Sequence, residues 1–224
     1  MKTYLRLLIH YKLYMPLAFY RLLYINFFRI KRARSCCVFI PTRYAVLDIA
    51  KSANIIANHS ILFGWSNMRY SRLETGLIMA DDSILEWGGA NYKSLELIGY
   101  GSYIQIGEGA KLSIGNSFIN REVKIICNRR ISIGDGCVIA MGTVIRDNDG
   151  GHHQMLSENY QNQKPITIEN HVWIGENSMI LKGVTIGEGA VIAASSLINK
   201  DVPAHCLVAG NPAKIIRENI NWKR

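Results

Sequence analysis

Isoleucine recurs every six residues at Ile168, Ile174, Ile180, Ile186, Ile192 and Ile198. An earlier run places it at Ile133, Ile139 and Ile145, and another, offset by two, at Ile119, Ile125 and Ile131. Four places after each isoleucine of the late run stands a small or β-branched residue: Val172, Ser178, Val184, Ala190, Ser196 and Val202. A six-residue period belongs neither to a helix nor to a simple strand, and apolar positions never recur at three and four together. It fits short strands divided by tight turns, three hexads closing one triangular coil, with each isoleucine pointing inward onto its counterpart in the next coil. The small residues then occupy cramped corners, and the glycines that often follow isoleucine supply turn conformations that a Cβ would strain. Backbone groups are satisfied by parallel pairing between coils, so such a stack needs a cap at each end.

The period divides the chain. Residues 98–203 form the repeat region, interrupted by a polar loop, 146–165, with Gly150–Gly151 and Pro165 as breakers. Loops of that length thrown out of a solenoid cluster on binding faces. Residues 36–97 read as irregular early coils with short Ile/Leu/Val patches. Residues 204–224 read as a turn at Asn211-Pro212 opening a short helix that caps the last coil.

Residues 1–35 form a separate arm that accounts for the chain's charge. They hold eight basic residues (Lys2, Arg6, Lys12, Arg21, Arg29, Lys31, Arg32, Arg34) and no acidic one. The other 189 residues carry 18 basic and 17 acidic residues, so the net +9 does not indicate a nucleic-acid-binding fold. The longest charge-free run of the arm, Leu13 to Tyr20, is too short to span a bilayer, and no secretory signal is evident. Interleaved basic, aromatic and aliphatic residues suit a segment lying on an anionic membrane surface. They equally suit a helical arm packed on its own or a neighbouring subunit, with Pro16 preventing one long helix. The five cysteines (Cys36, Cys37, Cys127, Cys137, Cys206) show no CxxC or zinc-site spacing and read as reduced thiols in a cytoplasmic protein.

Several segments together resemble the hexapeptide-repeat acyltransferases. These are the hexad run, the loop Asp147-Asn148-Asp149-Gly150-Gly151-His152, Val172-Trp173-Ile174-Gly175, Leu181 to Gly187, and Val208 to Lys214. The resemblance covers roughly residues 98–220 and is nearest to O-acetyltransferases that modify sugars of capsules and O-antigens. It implies a mainly β chain, a left-handed parallel β-helix with an amino-terminal helical arm. The hand comes from the family, since ordinary β crossovers are right-handed. It also implies a homotrimer, with acetyl-CoA and a glycan or nucleotide-sugar acceptor meeting in clefts between neighbouring β-helices.

By the same resemblance the loop histidine is the general base, His152 with His153 as the alternative. A neutral imidazole takes the proton of a sugar hydroxyl as it attacks the thioester. Asp147, Asp149 or a backbone carbonyl holds its other ring nitrogen. Trp173, Gly175 and Gly183 line the pantetheine groove, and Ala193, Ala194 and Ser195 offer backbone groups to it. Asn199, Lys200, Lys214 and Arg217 lie where the cofactor's phosphates need partners. Asn120 is a candidate acceptor contact. His59, His171 and His205 read as ordinary turn or surface residues, and the histidine spacing of the β-helical carbonic anhydrases is absent, so no metal is expected. The Gly-rich Asp-Arg-His segment of serine acetyltransferases is missing, as is the proline that follows the loop histidine in maltose acetyltransferases. An N-acetyltransferase acting on a nucleotide-linked amino sugar and a non-catalytic β-helical scaffold remain open alternatives.

Overall fold

The computed structural model describes residues 16–32, 37–42, 44–65, 73–88, 96–150 and 160–223. Among these residues twenty-three short strands form three sheets in rotation, each strand pairing with the strand three further along the chain until the last pairings of the second sheet, which join strands two and one apart. The first sheet comprises Ile30–Arg32, Asn54–Ala57, Ile84–Trp87, Lys111–Ile114, Arg130–Ile133, Ile166–Ile168 and Thr185–Ile186. The second runs Phe39–Pro41, Ile61–Trp65, Glu96–Gly99, Phe118–Ile119, Val138–Ile139, Trp173–Ile174, Val191–Ile192, Leu207–Gly210 and Ala213–Arg217. The third comprises Ala45–Ile49, Thr75–Met79, Tyr103–Ile106, Lys124–Cys127, Val144–Arg146, Met179–Ile180 and Leu197–Ile198. All pairings are parallel except that of the final two strands of the second sheet. The arrangement is consistent with a left-handed β-helix carrying an amino-terminal helical segment.

The expected isoleucine stacking is present. Ile104, Ile125, Ile145, Ile180 and Ile198 stand in one register column of the third sheet, and Ile119, Ile139, Ile174 and Ile192 in one of the second. All are essentially inaccessible. The predicted corner residues are buried too. Ser178 and Ser196 keep their hydroxyls engaged: Ser178 Oγ donates to the Ala193 carbonyl at 3.0 Å, and Gly210 N–H donates to Ser196 Oγ at 3.2 Å. A polar side chain inside a corner is thereby satisfied rather than stranded.

Among the described residues of 36–97 the strands already follow the three-sheet order, with Leu62, Phe63, Leu77, Leu85 and Trp87 sharing the buried positions, so no one residue type marks the repeat. The first strand, Ile30–Arg32, lies within the segment read as an arm and pairs Ile30 with Ile55. Before it, helix α1 spans Pro16–Tyr24, with proline at its first position, where its missing N–H costs nothing. A π-helical turn, Ile25–Arg29, follows.

This segment caps the open coil. Asn26 accepts the Phe39 N–H at 2.9 Å and donates to the Phe39 carbonyl at 2.6 Å, completing the edge strand of the second sheet. The Arg29 guanidinium donates to the carbonyls of Ile49, Ala50 and Lys51 at the end of the third sheet's edge strand. Ile25 is buried, whereas Phe27 and Phe28 are 72% and 78% exposed, beside exposed Phe19, Tyr20, Leu23 and Tyr24. Among the described residues no helix is long and apolar enough to cross a membrane.

The carboxy-terminal cap differs from expectation. The turn at Asn211-Pro212 is present, but Ala213–Arg217 is a strand that folds back antiparallel on Leu207–Gly210, not a helix. The last strand of a sheet presents unpaired N–H and C=O groups, and a returning strand satisfies a row of them where a helix would not.

Candidate active site

The chain leaves the solenoid after Val144–Arg146 and returns at Ile166, and the loop's root is built on Asp147. That side chain is fully buried and accepts the backbone N–H groups of Asn128, Arg129 and Arg130 at 2.7, 2.7 and 2.8 Å. These belong to the tight turn of the coil beneath, whose donors have no strand partner. Asn148 faces Gln163 in an antiparallel bridge. Asp149 N–H donates to the Asn162 carbonyl at 3.2 Å, and Lys164 N–H to the Asp147 carbonyl at 2.9 Å. The loop therefore starts as a short hydrogen-bonded neck.

At the top of the neck Lys182, from the next coil, meets both strands. Its ammonium donates to Asp149 Oδ2, to the Tyr160 hydroxyl at 3.0 Å and to the Gln161 carbonyl at 2.7 Å. It also stands 4.2 Å from the centre of the Tyr160 ring. The Tyr160 hydroxyl donates to the same Asp149 oxygen. Desolvation pulls the Asp149 carboxyl upward, but the hydrogen bonds from Lys182 and Tyr160 outweigh it and hold its pKa below the ordinary value. Desolvation likewise lowers Lys182, and its bonds to Asp149 and Tyr160 more than reverse this, lifting it above the ordinary lysine value. His152 and His153 lie outside the described residues.

The structure distributes the remaining sequence-predicted residues over different edges of the prism. Asn120, Gly175, Ala193, Ala194 and Ser195 share the edge between the second and third sheets. Asn120 is half-buried, its Oδ1 accepting the Arg121 N–H at 2.8 Å. Gly175 is there for close approach, since a Cβ would lie 2.6 Å from the Ala194 nitrogen and 2.8 Å from the Ile192 oxygen. Gly183, Asn199 and Lys200 lie on the other edge flanking the third sheet, that of Lys182. There Gly183 takes a positive φ of 79° over the Lys164 side chain. Lys214 and Arg217 are exposed on the returning strand.

Trp173 projects from the second sheet, 43% exposed. Trp222, a residue the sequence reading passed over, lies 5.8 Å from it and stacks on His171 at 4.1 Å. The two rings of that stack also exchange hydrogen bonds with each other's backbone carbonyls. His171 and His205 are turn residues at positive φ, whereas His59 is a buried turn residue rather than a surface one. Lys182 and Tyr160 were likewise unmarked. The signal available for them was a lysine in a Leu-Lys-Gly turn and the tyrosine near the end of a polar loop.

Residues 165–200 match the bacterial transferase hexapeptide (six repeats) family, and residues 131–146 match the hexapeptide repeat of succinyl-transferase. These segments carry hexapeptide repeats of the kind found in bacterial transferases. Galactoside O-acetyltransferase of Escherichia coli K12 is 37% identical over 120 residues, 53% of this chain and 56% of that protein. Polysialic acid O-acetyltransferase of Escherichia coli O1:K1 is 34% identical over 141 residues, 54% of this chain and 45% of that protein. The chain thus spans about half the length of the curated relatives it matches. The crystal structure of the polySia-specific acetyltransferase NeuO superimposes with a TM-score of 0.52 at 27% identity, over 83% of this chain and 84% of that one.

Proposed function

We propose that this hexapeptide-repeat chain is an acetyl-CoA-dependent O-acetyltransferase acting on a sugar hydroxyl of a glycan or glycan precursor. The observation that carries this reading is the buried Asp147 that roots the loop whose sequence holds His152, in a chain that is 37% and 34% identical over about half its length to two sugar O-acetyltransferases. In the proposed step the neutral His152 imidazole takes the hydroxyl proton as the oxygen attacks the thioester carbonyl carbon. A backbone N–H of the adjacent coil meets the developing oxyanion. The C–S bond then breaks, and the proton passes from the imidazolium to the departing thiolate. Asp147 is committed to the turn beneath, so Asp149 is the carboxylate assigned to the second ring nitrogen.

The cofactor is assigned to the Gly175, Ala193, Ala194 and Ser195 edge with Trp173, where the missing side chain at Gly175 lets the Ala193-Ala194 backbone of the next coil pack close. Gly183 is assigned with Trp173 and Gly175 to the pantetheine groove, and Lys200, Lys214 and Arg217 to the phosphates, with Asn199 beside them. The assigned residues occupy the two edges flanking the third sheet and the returning strand of the second, which suits a cleft shared by neighbouring copies of a homotrimer. A monomeric mass in solution by light scattering would remove that part of the reading.

Activity is tested by thiol release from acetyl-CoA against a panel of sugars, nucleotide sugars and lipid-linked oligosaccharides. Wild type should transfer to at least one of them. His152→Ala should lose most turnover yet keep the thermal shift that acetyl-CoA produces, and His153→Ala should stay active. Full activity in His152→Ala overturns the assignment of the base.

The arm is assigned to the inner surface of a cytoplasmic membrane. Supporting this are its eight positive charges and the exposed Phe19, Phe27 and Phe28. Full-length protein that fails to sediment with anionic vesicles at low salt would refute it.

A further inference from the structure

The Lys182 side chain is only 15% exposed, unusual for a lysine on the outer edge of a solenoid. An ammonium has three donors, and here all three are used, on Asp149, Tyr160 and Gln161. The acceptors come from both strands of the loop's neck, 33, 22 and 21 residues away in sequence.

The base of the neck is closed without this lysine. The Asn148–Gln163 bridge and the backbone bonds of Asp149 and Lys164 close it. What Lys182 adds lies one layer further out. It fixes the carboxylate of Asp149, the last acidic residue before the histidines, through an oxygen it shares with the Tyr160 hydroxyl. A carboxylate has about four acceptor sites, so two occupied on one oxygen leave capacity for an imidazole N–H. Arg146, the other cation near Asp149, is directed to Asn148 by hydrogen bonds of 3.0 and 3.1 Å.

We propose that Lys182 is a positioning residue: it clamps the outer end of the neck and fixes the Asp149 carboxylate, the group that the reading above assigns to the catalytic imidazole. This rests on the acetyltransferase reading above. An isolated surface ion pair would contribute almost nothing, whereas a misplacement of about 1 Å in a catalytic group costs on the order of a hundredfold in rate.

The test compares wild type with Lys182→Met, Lys182→Gln and Lys182→Arg, each first shown to be folded by circular dichroism. Steady-state kinetics should show kcat reduced about 10- to 100-fold in the Met and Gln variants. KM for acetyl-CoA should stay within about twofold, and Lys182→Arg should recover most of the rate. Amide hydrogen exchange at 148–150 and 160–164 should quicken at least about tenfold in Lys182→Met while strand peptides of the solenoid do not change. A kcat within twofold of wild type in Lys182→Met overturns the inference, whatever the exchange shows. If wild type transfers acetyl to no acceptor, the acetyltransferase reading fails on its own account. The clamp is then judged by exchange alone: faster exchange upholds it and unchanged exchange overturns it.

Discussion

The Asp147 carboxylate accepts the backbone N–H of Arg129 at 2.7 Å, although 18 residues and nearly a full coil separate them. With the bonds from Asn128 and Arg130, this gives a donor-rich turn its acceptors and fastens the loop to the body of the solenoid.

Removing that carboxylate should therefore unsettle the fold before it affects the chemistry. Asp147→Ala strands three buried donors and should lower stability by about 3 kcal/mol, and Asp147→Asn by roughly half of that. Denaturant titration measures both. An unchanged midpoint in the alanine variant would show that water replaces the carboxylate freely.

Two glycines separate packing from backbone strain. A Cβ at Gly175 would press on backbone atoms of the next coil, so Gly175→Ala should cost about 1–3 kcal/mol and weaken the acetyl-CoA thermal shift. At Gly109 nothing lies within 4 Å and only the φ of +62° opposes a side chain, so Gly109→Ala should cost about 1 kcal/mol and leave the shift intact. Equal effects of the two on the ligand shift would separate Gly175 from the cofactor.

Ile180 stands in register with Ile145 on one side and Ile198 on the other, fully buried. Ile180→Ala should cost about 2–5 kcal/mol, read from the denaturant midpoint, because backbone pairing keeps the coils from collapsing into the void. A loss below 1 kcal/mol would mean the stack relaxes.

The Lys182–Asp149 contact has a definite pH window. Asp149 is depressed in the folded state, so its contribution is present above the ordinary carboxylate value of about 3.9 and is lost as pH falls through the lower folded value. Lys182 is raised, so its contribution is present below about 10.4 and is lost as pH rises through its higher folded value. Protection of the backbone at 148–150 and 160–164, corrected for intrinsic exchange, should be flat from pH 5 to 9 and decline outside that span. A decline near pH 6 would point to another titrating partner.

Burial raises the thiol pKa of Cys127 and Cys137, and Cys37 and Cys206 are also buried. Native protein at pH 8 should leave these four unmodified by Ellman's reagent and yield all of them after denaturation. Rapid labelling of any of the four in folded protein would reveal local opening.

The repeat was legible from residue 98 onward because one residue type filled the inward columns at constant spacing. In the early coils Trp87, Phe63 and Leu77 fill equivalent space with different shapes, and a pattern keyed to isoleucine cannot register them. At the carboxy terminus Ala213-Lys214-Ile215-Ile216-Arg217 has no local reason to be a strand; the unpaired edge of Leu207–Gly210 decides it. In the loop, Asp147 and Asp149 are near neighbours of the same type and could not be ranked. Contacts reaching back to Asn128 and forward to Lys182 give the first a structural and the second an exposed polar setting.

The reversed direction of Ala213–Arg217 bears on how large the molecule can become. Coils whose strands all run one way would present a terminal face that accepts another such stack end to end, and growth would have no natural stopping point. A last strand of opposite polarity breaks that match. The hairpin thus acts as a full stop, setting a finite length on an architecture otherwise suited to filaments.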